Sequence, residues 1–62
     1  GKLMAYLNTR SQATGSAEFD IPYNRQQLAD YLGVDRSALS AVISSLSKEG
    51  VFEVKRSHFK LL

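Results

Sequence analysis

Two helix-start residues, Asn24 and Asp35, stand on either side of a single glycine, Gly33. That spacing leaves room for one short helix, one tight turn and one longer helix. Asn24 is a good N-cap, Arg25 to Ala29 are good helix formers, and Gln27 stands where a capping-box partner belongs. Gly33 tolerates positive φ and ends the first helix after Leu32. Asp35 caps a second helix from Arg36 to about Glu49, with Gly50 as its left-handed stop. Within it Leu39, Val42, Ile43 and Leu46 follow an i, i+3, i+4, i+7 pattern, one apolar stripe. Helices joined by so short a turn cross steeply and nearly touch, which asks for a small residue at the crossing. Ala29 supplies it. Leu28, Leu32, Val34, Leu39 and Val42 fall where the core between the helices must close. A helix-turn-helix is the expected unit, and a plain antiparallel helical hairpin is the alternative.

The flanks add a helix and a small sheet. From Lys2 to about Thr14, Leu3, Tyr6, Leu7 and Arg10 recur at helical spacing, and Gly15 is available as a cap. Phe19, Ile21 and Tyr23 then alternate with Glu18, Asp20 and Pro22, which is strand periodicity. Pro22 cannot donate to a ladder, so this is an edge strand or an extended arm. After Gly50, two β-capable runs, Val51 to Val54 and Phe59 to Leu62, flank the polar tip Lys55-Arg56-Ser57-His58. A β-hairpin follows, its turn type open because the tip has no Asn-Gly pair. The expected fold is mainly α with a small β wing: three helices plus an antiparallel hairpin, a winged helix-turn-helix. At 62 residues one small domain spanning 1–62 is expected. The opening Gly1 fits a piece cut from a longer protein.

Composition narrows the chemistry. There is no cysteine and one histidine, His58, so thiol chemistry and Cys-based zinc sites are excluded and no metal is expected. The serines have no partner pattern of a nucleophile and base, and no phosphate-binding glycine loop or HExxH spacing occurs. No enzyme activity and no cofactor are expected for these residues. No apolar run approaches a membrane span and no signal-peptide core appears, so a cytoplasmic location without membrane contact is expected. The net charge is +2, but from Asp35 onward five cations face three anions. A basic C-terminal half points to an anionic partner, most simply nucleic acid.

The stretch Leu28-Ala29-Asp30-Tyr31-Leu32-Gly33-Val34-Asp35-Arg36-Ser37-Ala38-Leu39-Ser40, with Phe19 to Gln27 before it, resembles the C-terminal DNA-binding domain of the Crp/Fnr family of bacterial transcription regulators. The later Leu46-Ser47-Lys48-Glu49-Gly50-Val51-Phe52 is similar to that family's passage from recognition helix to wing. The resemblance covers the chain after Gly1. It implies double-stranded DNA as partner, together with an upstream sensory barrel and a dimerisation helix that would make the full-length protein a homodimer.

The candidate contacts follow. The face of the second helix opposite its apolar stripe is free to enter a major groove, and it carries Arg36, Ser37, Ser40, Ala41 and Ser44. Arg36 is the side chain able to contact guanine O6 and N7 together, and resemblance places it on the family's base-reading arginine. Family members commonly have glutamate where Ser37 stands and arginine where Ala41 stands. Those two departures leave a short, hydroxyl-rich face, from which either low specificity or a reliance on DNA shape and bending follows. Asn24 and Arg25 open the first helix of the pair, whose amides suit a phosphate. Lys55, Arg56 and His58 form the basic wing tip, also assigned to phosphate. Tyr6, Phe19, Tyr23, Phe52 and Phe59 are assigned to packing. The alternative function is a winged-helix module that binds protein through the Ser/Ala-rich helix face.

Overall fold

A computed structural model describes residues 1–62. The order is α1 (Lys2–Thr14), β1 (Glu18–Asp20), α2 (Arg25–Leu32), α3 (Arg36–Lys48), β2 (Phe52–Lys55) and β3 (His58–Leu61). The three strands form one antiparallel sheet in the order β1-β3-β2. This is the three-helix, small-sheet architecture of a winged helix-turn-helix, with β1 as the expected edge strand.

The local signals act as their chemistry requires. The Asn24 side chain accepts from the Gln27 amide at 2.8 Å, and Gln27 Oε1 accepts from the Asn24 amide at 2.9 Å. This reciprocal box satisfies two amides that would otherwise be orphaned at the start of α2. Asp35 accepts from the Ala38 amide at 3.1 Å and starts α3. Between them Gly33 has φ 71°, and the Val34 amide reaches back to the Ala29 carbonyl at 3.0 Å. A Cβ at Gly33 would meet no atom within 4 Å. Backbone conformation alone, not crowding, therefore demands glycine there. α3 ends at Lys48, one residue before the sequence boundary, and Gly50 carries the expected positive φ of 80°.

The core lies between the helices and one face of the sheet. It takes Leu3 and Leu7 from α1, Leu28 and Ala29 from α2, and Leu39 and Ile43 from α3. Phe19, Ile21, Phe52 and Phe59 close it from the sheet side. Phe52 and Phe59 meet edge to face with centroids 5.4 Å apart, a favoured aromatic geometry. Ala29 is fully buried, as the close crossing of α2 and α3 requires.

Two core assignments are corrected. Val34 and Val42 are 38% and 46% exposed, because they border an open hollow with Leu3 and Leu32 that no further element covers. Leu32 itself is half-buried. The wing tip is also tighter than its composition suggests. The register pairs Lys55 with His58, so only Arg56 and Ser57 form the loop. Arg56 has φ 56°, a left-handed value that L-residues adopt at a cost of about 1–2 kcal/mol.

Candidate nucleic-acid interface

Two surfaces carry the candidate residues. The first is the outward face of α3, where Arg36, Ser37, Ser40, Ala41 and Ser44 are all exposed. Leu39 and Ile43 hold the opposite face in the core, so the helix is fixed in rotation. Its 13 residues span about 20 Å at 1.5 Å per residue. Ser37, Ala41, Ser44 and Lys48 follow one another at steps of four and three, which places all four on one face. Lys48 was not among the sequence-derived contacts. The same periodicity, carried one turn further, picks it out as the cation at the far end of that face.

The second surface is a notch of about 230 Å³ lined by Asn24, Arg25, Arg56 and Ser57. The turn of the wing thus meets the N-terminus of α2. The join is pinned by Ser57 Oγ, which donates to the Tyr23 carbonyl at 2.7 Å. The amide of Ile21 also donates to the Ser57 carbonyl at 2.9 Å. No carboxylate lines the notch, while two guanidinium groups and the positive end of a helix do. Arg25 stacks over the Phe59 ring at 5.5 Å, a cation–π contact that fixes its direction. Burial holds its pKa below the ordinary arginine value, yet arginine keeps its charge under any physiological condition. The role of Ser57 in tying the wing to α2 has no sequence signal, because its partner lies 34 residues away.

Lys55 and His58 are placed differently from Arg56. Both line a hollow that also holds Glu18, Glu53 and Lys60. His58 Nδ1 lies 2.9 Å from Asp20 and Nε2 lies 3.0 Å from Glu18. Both ring nitrogens are therefore engaged by carboxylates across the β1–β3 pair. Those hydrogen bonds, Asp20 first and then Glu18, raise the His58 pKa above its ordinary 6.5. Of the five residues assigned to phosphate, three converge in the notch and two sit among acids. No three His, Asp or Glu side chains surround a common point where an ion could sit; Glu18 and Asp20 take opposite nitrogens of one ring. No helix is long and apolar enough to cross a membrane.

A family model described as the Crp-like helix-turn-helix domain matches residues 1–62. The chain belongs to that family. Over 44 residues, 71% of this chain and 18% of the relative, it is also 34% identical to a protein of Cereibacter sphaeroides named transcriptional activator protein FnrL. The match thus spans under a fifth of that relative's length. No solved structure matches the chain. The Crp-like domain is a DNA-binding domain of the transcription-regulator class, and the family is not one of enzymes. The family resemblance drawn from the Leu28 to Ser40 stretch holds.

Proposed function

We propose that this Crp-like domain grips double-stranded DNA at two places, with α3 in the major groove and the Arg25–Arg56 notch on a phosphate of the backbone. The observation that carries the reading is the notch. It brings two arginines from distant parts of the chain to the amide end of α2 with no acid among its lining residues. An anion there meets backbone dipole and fixed charge together. The fixed rotation of α3, with Leu39 and Ile43 in the core, supports a reading in which the helix carries Arg36 to the base edges, with Ser37, Ser40, Ala41 and Ser44 beside it. Their short side chains allow close approach to the groove floor and leave part of the specificity to DNA deformability. In the full-length protein the domain acts in a homodimer, joined through an upstream helix, as an effector-controlled regulator in the cytoplasm.

The test is the salt dependence of DNA affinity. Neutralising a phosphate contact lowers the log–log slope by about 0.9. Arg25→Gln and Arg56→Ala are each expected to remove about that much, on specific and nonspecific duplexes alike. Lys55→Ala is expected to remove less, since Lys55 shares its hollow with Glu18 and Glu53. Slopes unchanged in both arginine variants would dismiss the notch as a phosphate site. DNA affinity absent at low salt would instead favour the protein-binding reading of the Ser/Ala-rich face.

A further inference from the structure

On the side formed by α1 and α2 lies a hollow of about 750 Å³ that shares no residue with the proposed DNA contacts. Its floor is aromatic. Tyr6 of α1 and Tyr31 of α2 have ring centroids 5.3 Å apart, and Tyr31 stacks on Tyr23 at 5.2 Å with planes 23° apart. Tyr31 remains 59% exposed, a large aromatic surface left in water. Pro22 adds to the wall. Lys2 and Arg10 are the charged side chains that line the hollow, and no acid does.

Lys2 Nζ donates to the Leu32 carbonyl at 3.3 Å, and Arg10 lines the hollow two turns further along α1. Lys2, Tyr6 and Arg10 succeed one another four residues apart on α1, so they share a face. The span from Lys2 to Arg10 is about 12 Å at 1.5 Å per residue. Arg10 Nε is shut off from solvent and has no hydrogen-bond partner. A carboxylate arriving at the hollow would gain charge-assisted hydrogen bonding from the guanidinium.

We infer that this hollow is a docking site for an acidic, proline-containing segment of a partner protein. Aromatic-lined grooves receive polyproline II segments, whose backbone is already extended and loses little entropy on binding. Such a segment rises about 3.1 Å per residue, so acids four residues apart are separated by about 12 Å. That separation equals the rise along α1 between the points where Lys2 and Arg10 leave the helix. The three tyrosines offer flat faces to the residues in between. Because the site and the DNA contacts are separate, one domain can hold both ligands at once.

The experiment titrates the ¹⁵N-labelled 62-residue chain with the capped peptide Glu-Pro-Leu-Pro-Glu, with its Gln-for-Glu counterpart, and with a short DNA duplex. The acidic peptide is expected to shift the signals of Tyr6, Tyr23, Tyr31 and Arg10 and to saturate. The neutral peptide is expected to bind about fivefold more weakly, as is the acidic peptide to Arg10→Gln. Tyr31→Ala, at an exposed site that the fold tolerates, is expected to weaken the peptide similarly and leave DNA affinity unchanged. Equal binding of the two peptides overturns the proposal. So does a response confined to α3 and the wing, or filling of the hollow by the DNA duplex.

Discussion

Arg36 is the one long hydrogen-bond donor at the outward start of α3, one residue past the Asp35 cap. A bidentate contact to guanine is worth about 1–3 kcal/mol of discrimination. Arg36→Ala is therefore expected to relax base preference at one position of each half-site, beyond weakening binding. Competition of single-base site variants against the full-length protein measures it; equal loss for every variant would make Arg36 a phosphate anchor. Arg56 has a different economy. Its positive φ is strained in an L-residue and free in glycine. Arg56→Gly should raise domain stability by roughly 0.5–1 kcal/mol in a chemical denaturation series while lowering the DNA salt slope by about 0.9. That pair of outcomes would mark Arg56 as a residue kept for function at a cost in stability. Neither strain nor partner is visible in the letters Lys55-Arg56-Ser57-His58. They show a basic tip and nothing of which cation turns into the notch.

The elements themselves were legible because their signals are local. Asn24 with Gln27, Gly33, and Asp35 each act within a few residues, so helix ends follow from side-chain chemistry alone. What was hidden depends on strand pairing. Register decides that Lys55 and His58 face each other in the ladder, and it brings His58 between Glu18 and Asp20 on β1. This clasp has a pH dependence whose sign is fixed. The folded pKa of His58 is raised by its carboxylate hydrogen bonds above the ordinary 6.5. Its contribution to stability is then full below about 6.5 and is lost as pH rises through the raised folded value. The thermal midpoint should fall over that interval, and His58→Gln should flatten the fall. An NMR titration placing the His58 ring at or below 6.5 would contradict the clasp. Val34 and Val42 failed at the same scale. Helical periodicity marks the apolar side of α3, but only the position of α1 tells how much of that side is covered.

At the scale of the molecule, the exposed large apolar side chains are Tyr31, Val34, Val42 and Leu62 on a 4035 Å² surface, and of these Val34 and Val42 share one small hollow. A stable pair of copies would bury about 600 Å² or more on each. These 62 residues are expected to sediment as a monomer at micromolar concentration and to bind a single half-site weakly, since avidity needs two linked domains. Fluorescence anisotropy on half-sites and whole sites tests this, and equal affinity for both would support it. The sheet order has a consequence of another kind. β3 lies between β1 and β2, yet it is the last of the three to be made on the ribosome. Until His58 to Leu61 emerge, β1 and β2 have no ladder partner, and Phe19 and Phe52 have no Phe59 to close on. The helical half can condense as it is synthesised, whereas the wing must wait and then zip in a single late event. A stalled or truncated nascent chain would therefore present two bare strands to the cell's proteases and chaperones.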